Sequence, residues 1–471
     1  MEKFYDRGRM HELRSLEELY MRNEFTFAVI YGRRRVGKSA LIREFLRRGN
    51  KKAIMFTAAE STDNENLEDF SQSIYKMIHP ELGSHGVFRS WDGAFEYIAE
   101  ASKKEKAVVV IDEYPYLAKA RPSISSELQR CMETTMAGTD IMLILCGSSM
   151  NFMENQVLGY QSPLYGRRTA QYKIEPLDYY DSAEFFGSAG AEDKLLGYAA
   201  TGGIPQYLNV ISRKGTVAEG IEDAFFDKSG FLHEEPYNLL KQELREPAVY
   251  NAIIGAIASG ATKLNEIAGK VKEDMSKVSK YLGVLINLGI IKREVPMLSE
   301  KNAKGVYTIC DDMYRFWYRF VRKETALIKK GAPNIFDEKV RPFIQDFMGP
   351  VFEEVCREYL WRLNIKKKLP FMFSDIGRWW GGNPITKTET EIDIVAASAA
   401  KKDMIIGECK WQKEKVGPEV YNGLKEKAVL FPEKNIRYFL FSKAGFKPDL
   451  KKEAERDNRL TLVTLNDLFS I

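Results

Sequence analysis

The stretch TFAVIYGRRRVGKSALIREFL, residues 26–46, decides the fold of the first part of the chain. It begins with apolar, β-branched residues typical of a buried strand and continues with the pattern GxxxxGKS. It ends with apolar residues at helical spacing, namely Leu41, Ile42, Phe45 and Leu46. A strand, a glycine-rich loop and a helix in this order predict an α/β fold with a parallel sheet.

The chemistry of the loop explains its spacing. Gly32 and Gly37 let the backbone bend tightly, so that successive N–H groups and the positive end of the new helix face a phosphate. Lys38 is placed to reach β- and γ-phosphate oxygens, and the Ser39 hydroxyl to ligate Mg²⁺. We therefore predict a P-loop for ATP with Mg²⁺, formed by Gly32, Arg33, Arg34, Arg35, Val36, Gly37, Lys38, Ser39 and Ala40. The alternative is a chance GxxxxGKS in a loop, which the flanking strand and helix argue against.

Two carboxylates follow a second apolar run, AVVVIDEYPYL, residues 107–117. This pattern is typical of a Walker B strand, which opens onto the same edge of a parallel sheet as the P-loop. We expect Asp112 to hold Mg²⁺ through its water shell and Glu113 to orient the attacking water. The alternative is two acids that simply begin a loop.

A third apolar run, IMLILCGSS, residues 141–149, ends in Ser148 and Ser149. The hydroxyl of Ser148 is a candidate sensor of the γ-phosphate between the two Walker strands. Serines after a strand also serve as plain turn formers, so both interpretations stay open.

Together these motifs resemble the archaeal-type ATPases of the STAND and AAA+ lineage. The N-terminal FYDRGRMHEL is similar to the FxxRxxEL adenine-side box of that family, with Arg9 and Glu12 at the matching spacing. The pair Asp6 and Arg7, one turn earlier, leaves the register of this box open.

Two further segments carry the resemblance. The segment PLYGRRT, residues 163–169, is similar to the family's arginine loop, which implies Arg167, or else Arg168, as the finger that contacts the γ-phosphate. A solvated surface cation is the alternative for Arg167. The segment TGGIPQYL, residues 201–208, resembles the GxP motif of the helical lid and implies that Pro205 lies against the nucleotide.

The pattern changes to short helices between residues 246 and 312. Three helices followed by a hairpin predict a winged helix. In the third helix the expected buried positions are Val278, Tyr281, Leu282, Leu285 and Leu288, and the expected outer positions are Ser276, Lys277, Ser279 and Lys280. That outer face, with nearby lysines, would contact DNA, although winged helices also serve as packing modules. The aromatic run YRFWYRFV, residues 314–321, predicts a packing stripe instead of a base-stacking surface.

Acidic residues and a lysine mark two strand-like segments near the C-terminus, EIDIVAAS (391–398) and MIIGECKW (404–411). Because side chains alternate along a strand, Glu408 and Lys410 share one face and can converge with Asp393 on a neighbouring strand. Two carboxylates, Asp393 and Glu408, suit Mg²⁺ or Mn²⁺, and the lysine can activate water or steady the charge on a phosphate.

This arrangement resembles the PD-(D/E)XK nucleases, and the whole stretch resembles the C-terminal domain of unassigned function that accompanies archaeal-type ATPases. In the nuclease pattern an acid from a preceding helix completes the site. Helical geometry favours Glu353 over Glu354, because Glu353 flanks the apolar face of its helix. RWWGGN, residues 378–383, matches the family, and Trp379 and Trp380 either line the approach or pack. The alternative is a domain that keeps this fold and only binds.

Composition and length bound this interpretation. The 471 residues, 44% of them hydrophobic, predict several folded domains, which we place at residues 1–180 (P-loop core), 181–240 (helical lid), 241–322 (winged helix) and 323–471 (α/β restriction-endonuclease-like domain). A net charge of +4 requires that nucleic-acid affinity come from local basic surfaces. Five scattered cysteines without a CxxC pair favour a reducing cytoplasm, and we expect no membrane segment.

The sequence therefore predicts an ATP-hydrolysing switch that couples nucleotide state to nucleic acid, with DNA favoured, through a winged helix and a nuclease-like domain. The alternative is a regulatory or scaffold ATPase whose C-terminal domain binds DNA or a protein partner without cleavage. Arg167 acting on a neighbouring copy would require a nucleotide-dependent homo-oligomer.

Overall fold

The computed structural model describes residues 8–81, 86–103, 105–299, 305–383, 387–432 and 434–470. The alternative box residues Asp6 and Arg7 lie outside these ranges. The chain divides into two compact units, the first comprising Met1–Pro176 and Ile204–Gln206 and the second Leu177–Gly203 and Tyr207–Ile471. The domain limits expected at residues 180, 240 and 322 stay predictions.

The first unit alternates strands and helices, as the sequence predicted. Its strands are β1 (Thr26–Tyr31), β2 (Ala53–Thr57), β3 (Val108–Asp112), β4 (Met142–Gly147) and β5 (Ala170–Lys173). Its helices are α1 (Met10–Tyr20), α2 (Lys38–Arg47), α3 (Asp63–Ile78), α4 (Trp91–Ser102), α5 (Tyr114–Ala120), α6 (Ile124–Thr134) and α7 (Met150–Phe152).

A parallel sheet forms the centre of this unit, with strand order β2-β3-β4-β1-β5. All residues of β1, β3 and β4 are buried, which is why these segments read as continuous apolar runs. The order places β4 between β1 and β3, so the residues that follow these three strands meet at one edge. Ligands of open α/β sheets bind at this carboxyl edge.

The second unit begins with helices. They are α8 (Tyr179–Ser182), α9 (Ala191–Thr201), α10 (Pro205–Ile211, whose first two residues belong to the first unit), α11 (Val217–Ile221), α12 (Glu235–Glu243), α13 (Pro247–Ala258), α14 (Leu264–Val271) and α15 (Met275–Asn287). An antiparallel ribbon of β6 (Ile291–Glu294) and β7 (Val306–Ile309) follows. In α15, Val278, Leu282 and Leu285 are buried and Ser276, Ser279 and Lys280 are exposed, as the helical spacing predicted. Tyr281 and Leu288, expected to be buried, and Lys277, expected to be exposed, are half-buried.

The aromatic run after the ribbon packs inside this unit. It lies in α16 (Asp312–Phe316) and in the π-helical turn Trp317–Val321. Phe316 and Phe320 are buried, and their ring centroids lie 5.1 Å apart. The Trp317 indole donates to the carbonyl oxygen of His233 at 2.6 Å. The predicted packing stripe is therefore confirmed.

The C-terminal part contains a mixed sheet. After α17 (Thr325–Lys329) and α18 (Ile344–Ile365), the elements are β8 (Phe373–Gly382), β9 (Glu389–Ser398), β10 (Asp403–Lys410), α19 (Pro418–Ala428), β11 (Asn435–Ser442), α20 (Pro448–Arg456) and β12 (Leu460–Thr464). The order is β12-β11-β10-β9-β8, with β10, β11 and β12 parallel and β8 and β9 antiparallel to their neighbours.

Helices cover both faces of this sheet. Tyr359 of α18 contacts the ring of Phe441, whereas Tyr421 of α19 contacts Tyr438. Because residues three apart on a strand point to opposite faces, α18 and α19 lie on opposite sides of β11. Within the described ranges, no helix combines the length and the apolar character needed to cross a membrane.

Candidate functional sites

Close packing explains the glycines of the P-loop. A Cβ atom at Gly32 would lie 2.3 Å from the carbonyl oxygen of Ile174, so only glycine fits there. Gly37 has a φ of 96° and Arg35 a φ of 71°, both in the left-handed region that such a tight loop requires. This backbone turns into α2 at Lys38, which gives the loop the geometry of an anion-binding helix start.

The side chains of the P-loop meet those of β3. The Ser39 hydroxyl donates to Oδ2 of Asp112 at 2.7 Å. Lys38 Nζ donates to the carbonyl oxygens of Gly32 and Arg33, both at 2.9 Å. Burial lowers the pKa of the Lys38 ammonium. A buried lysine held over a loop, beside two hard oxygen ligands, fits a triphosphate with Mg²⁺.

The acid after Asp112 is bonded to the serine after β4. Glu113 has a φ of 51°, a left-handed conformation between β3 and α5. Its Oε2 accepts from the Ser148 hydroxyl at 2.8 Å and from the Ser148 N–H at 3.4 Å. The strand order β3-β4-β1 brings Glu113, Ser148 and the P-loop to the same edge of the sheet.

Residues from both ends of the first unit lie against the P-loop. Arg9, which is buried, donates to the carbonyl oxygen of Val36 at 3.4 Å and to that of Glu175, and it pairs with Glu12 at 3.6 Å. The Cγ atom of Pro205 lies 3.9 Å from where a Cβ of Gly37 would be. The N-terminal box and the GxP segment therefore both lie beside the P-loop, at Val36 and at Gly37.

Arg167 has local partners. Its guanidinium donates through Nε to Glu133 at 2.9 Å and through Nη1 to the carbonyl oxygens of Pro163 and Tyr165 at 3.0 and 3.2 Å. These bonds fix the side chain on its own loop and on α6. A role at the γ-phosphate would require that Arg167 exchange these partners.

The second cluster of predicted residues lies on β9 and β10. Antiparallel pairing sets Ile394 opposite Gly407, which brings Asp393 next to Glu408. Oδ2 of Asp393 accepts from the N–H of Cys409 at 2.8 Å. Lys410 Nζ lies 2.8 Å from Oε1 of Glu408, as expected for two residues on one face of a strand.

The structure also distinguishes the two glutamates of α18. Burial and then the charge of Asp393 raise the pKa of Glu353 to about 7. Burial and then Glu408 raise the pKa of Asp393 to about 6. Glu354 instead pairs with Lys292 at 2.8 Å and with Arg315 at 3.3 Å. Glu353 is therefore the acid of α18 that lies within electrostatic reach of Asp393.

Cations outside the predicted D…ExK motif contact these acids or lie on the neighbouring strand β8. Arg357 Nη1 donates to the carbonyl oxygen of Asp393 at 2.9 Å and lies 3.7 Å from Glu353. Lys427 of α19 binds the second oxygen of Glu408, Oε2, at 2.9 Å. Arg378 of β8 pairs with Glu294 at 2.8 Å and with Glu391 at 3.0 Å.

The carboxylates of this cluster are suitable ligands for a hard divalent cation, but they are not arranged around one common point. Among the described residues, no group of three or more His, Cys, Asp and Glu side chains is positioned to hold a metal ion. Asp393 and Glu408 could supply two oxygens, and a cation there would displace a lysine from Glu408. The three acids are close without forming a complete first coordination set.

Comparison with known proteins places the chain in a family. Residues 4–211 match a family described as an ATPase domain predominantly from Archaea, and residues 317–421 match a family of archaeal and bacterial proteins of unknown function. An uncharacterized protein of Methanocaldococcus jannaschii is 34% identical over 426 residues, which cover 90% of this chain and 91% of that protein. The chain belongs to the archaeal-type P-loop ATPases.

Other similarities are more limited. A second uncharacterized protein of Methanocaldococcus jannaschii is 31% identical over 90 residues, which is 18% of this chain and 82% of that protein. A Walker-type ATPase of Pyrococcus abyssi superposes with a TM-score of 0.51 at 21% identity, covering 66% of this chain and 95% of that one. This likeness supports the fold of an archaeal-type ATPase and, at that identity, nothing finer.

Sequence reasoning missed several side chains of this archaeal-type ATPase. Arg357 and Lys427 come from two different elements, and each reads alone as an ordinary surface cation, whereas Arg378 begins the segment RWWGGN that the sequence singled out without a role for the arginine. Arg357 stands four residues after Glu353, a spacing that places both on one helical face and gave the only signal. The bond between Glu113 and Ser148 required the strand order, which the sequence does not contain.

Proposed function

We propose that this ATPase is a switch in which ATP binding and hydrolysis in the first unit control a winged helix and a nuclease-like domain. Both of these domains would act on nucleic acid, with DNA favoured over RNA. The single observation that carries the ATP half is the hydrogen bond between Ser39 and Asp112 beside buried Lys38. It joins the P-loop to the Walker B strand at the carboxyl edge of the sheet.

The roles at this site follow from atom positions. Backbone N–H groups of residues 32–39 and the Lys38 ammonium would hold the phosphates, and Ser39 and Asp112 would hold Mg²⁺, which supplies charge neutralisation for the leaving phosphate. Glu113 would orient the attacking water once its bond to the Ser148 hydroxyl is exchanged. The Ser148 hydroxyl, released from Glu113, could then contact the γ-phosphate and act as its sensor.

Contact with DNA is proposed for the segment from α13 to β7. Its three helices and antiparallel ribbon have the order of a winged helix, and α15 exposes Ser276, Ser279 and Lys280. This face is polar and would contact phosphates and base edges of a major groove. Because the net charge of the chain is only +4, such binding would depend on local lysines and fall with salt.

Cleavage is proposed for the cluster on α18, β9 and β10. Asp393 and Glu408 would bind Mg²⁺ or Mn²⁺, Glu353 would take or give a proton, and Lys410 would hold the scissile phosphate. The pairing of β9 with β10 supports a cation site, because it brings the carboxylates of Asp393 and Glu408 together. Burial first, and then a neighbouring carboxylate, raise the pKa values of Glu353 and Asp393.

The test compares ATP turnover with Mg²⁺- and Mn²⁺-dependent cleavage of DNA and RNA by the intact protein and by two variants. Lys38→Ala should lower ATP hydrolysis roughly 10²- to 10³-fold, and Asp393→Ala should stop cleavage while leaving ATP hydrolysis in place. Asp403→Ala, at the other end of β10, is the matched control and should cut like the wild type. If no substrate is cut in any nucleotide state, the nuclease half of the proposal fails.

A second candidate is a scaffold ATPase whose C-terminal domain binds without cutting. The observation that favours it is the pairing of both Glu408 oxygens with lysines, together with the lack of a three-ligand cluster in the part of the chain that is described. This candidate predicts nucleotide-dependent association with DNA or a protein that Asp393→Ala leaves unchanged. Calorimetry with Mn²⁺ that detects no heat attributable to Asp393 and Glu408 would favour it.

A further inference from the structure

Glu408 is shared by two lysines from different elements. Its Oε1 binds Lys410 Nζ at 2.8 Å, and its Oε2 binds Lys427 Nζ at 2.9 Å. The Glu408 side chain is 12% exposed, whereas the lysines are 32% and 27% exposed. One mostly buried carboxylate therefore holds two ammonium groups at the boundary with solvent.

Lys427 is not part of the D…ExK pattern. It lies on α19, the helix that follows β10 in the chain, and it belongs to no sequence motif. Its neighbour Lys425, two residues earlier on the same helix, pairs with Glu453 at 3.2 Å instead. Two residues apart on a helix point in different directions, so Lys427 alone of this pair faces Glu408.

We propose that Lys410 and Lys427 form a phosphate-binding pair that Glu408 holds in reserve and releases when this carboxylate binds a divalent cation. The inference rests on the proposed function. It adds Lys427 to Lys410 as a phosphate ligand, and it states that the cation binds before the phosphate. Nucleic acid would then meet two free ammonium groups only at a metal-loaded site.

Charge balance explains why the pair is needed. Arg357 lies 3.7 Å from Glu353, and one divalent cation would offset the charges of Asp393 and Glu408. The charge of the phosphodiester itself then needs further cations, which the two lysines supply. Lysine is a point charge that can turn on a flexible stem from one oxygen to another without loss of its charge. The exchange costs little, because each lysine replaces a carboxylate oxygen with a phosphate oxygen.

The experiment measures binding of short fluorescent single-stranded and duplex DNA to the full-length protein by anisotropy, in EDTA and in Ca²⁺. Calcium is a hard cation that takes carboxylate oxygens as Mg²⁺ does. We expect Ca²⁺ to tighten binding by the wild type about tenfold, the effect of one or two charge-assisted hydrogen bonds. Lys427→Met should lose most of this tightening, and Lys425→Met should retain it.

A second pair of variants tests the reserve role of Glu408. Glu408→Gln should bind DNA in EDTA about as tightly as the wild type does in Ca²⁺, because neither lysine is then held by a carboxylate. Glu453→Gln frees Lys425 in the same way and should leave binding in EDTA unchanged. Equal gains in both variants would reveal only a loss of negative charge and would overturn the proposal.

The outcomes separate this inference from the nuclease activity. If Ca²⁺ does not tighten binding, or if Lys427→Met behaves like Lys425→Met, the lysine pair is wrong even where the wild type cuts DNA. If Ca²⁺ tightens DNA binding by the wild type but not by Lys427→Met, and the wild type cuts no substrate, the lysine pair is supported and the proposed nuclease activity is wrong. The intact length of each probe is checked on a gel.

Discussion

The two candidate sites of this ATPase are built in different ways. In the first unit one continuous loop, residues 32–39, supplies the backbone donors and two of the side chains, and the ends of β3 and β4 supply the rest. In the second unit the site is assembled from α18, β9, β10 and α19, and each contributes one or two charged side chains. The first site is backbone-built and the second is held together by ion pairs.

This difference determines what each site tolerates. The backbone-built site should be sensitive to any added Cβ, since at Gly32 it would meet the Ile174 carbonyl at 2.3 Å. The ion-paired site should be sensitive to the loss of single charges, because removal of one partner leaves another charge poorly compensated. Variants that affect one site and spare the other can therefore break or sharpen the comparison.

The largest expected effect is that of Lys38→Ala on ATP hydrolysis. Loss of the buried ammonium, which lies 2.9 Å from two loop carbonyl oxygens, should lower turnover roughly 10²- to 10³-fold. Phosphate release measures it. Lys52→Ala, a surface lysine paired with Glu105, is the control and should keep wild-type turnover. A Lys38→Ala protein that hydrolyses ATP normally would contradict the P-loop assignment.

The next effect distinguishes Glu353 from Glu354. Glu353→Gln should reduce metal-dependent cleavage roughly 10²-fold, as the loss of a general acid or base does. Glu354→Gln should spare chemistry and instead lower the free energy of unfolding by about 2 kcal/mol, because Arg315 and Lys292 lose their carboxylate. Cleavage assays and urea unfolding, run on both proteins, give the two readouts. The reverse pattern would move the catalytic role to Glu354.

The sequence predicts the strands, the loop and the sheet edge of the first site because this information is local. A strand, a glycine-rich loop and a helix are consecutive, and the apolar runs of β3 and β4 ending in Asp112 and Ser148 mark the same sheet edge. Comparison with relatives and the parallel sheet confirms the P-loop ATPase fold. The roles of the individual residues stay predictions.

The second site was only partly predictable for a physical reason. Strand alternation and helix periodicity place Asp393, Glu408, Lys410 and Glu353 correctly on β9, β10 and α18. They cannot show that Lys427 reaches Glu408 from 19 positions further along the chain, because long-range ion pairs depend on packing between elements. The winged-helix and nuclease-like assignments stay predictions.

A smaller effect is the pH dependence of the free energy of unfolding that we expect from Glu358 in the second unit. Glu358 of α18 accepts from the Tyr198 hydroxyl at 3.2 Å and from the Tyr179 N–H at 3.4 Å. Burial and then the charge of Asp178 raise the pKa of Glu358 from 4.5 to about 8. The folded state therefore holds a proton that the unfolded chain releases, so this stabilisation is complete below pH 4.5 and is lost as the pH rises towards 8.

Glu358→Gln should flatten this dependence. We expect the free energy of unfolding of the wild type to fall, relative to the variant, on the order of 1–3 kcal/mol between pH 5 and pH 8. Urea unfolding followed by circular dichroism at several pH values measures the difference. Parallel curves for the two proteins would show that Glu358 does not carry the proton. Glu338→Gln, an exposed acid of the same unit, should give curves parallel to the wild type.

The smallest expected effect is that of Lys292→Met, which removes a support of the second site from outside the C-terminal sheet. Lys292 of β6 binds Glu354 next to Glu353, and its side chain is 37% exposed, so the pair should contribute only about 0.5–1 kcal/mol. A double-mutant cycle with Glu354→Gln measures this coupling, and Lys329→Met, an exposed lysine at the end of α17, is the control. Because Arg315 also holds Glu354, the single loss should leave Glu353 in place and cleavage nearly unchanged. A large loss of cleavage in Lys292→Met would instead mean that the ribbon positions the acids of α18, and that the ion-paired site extends further than the four elements that form it.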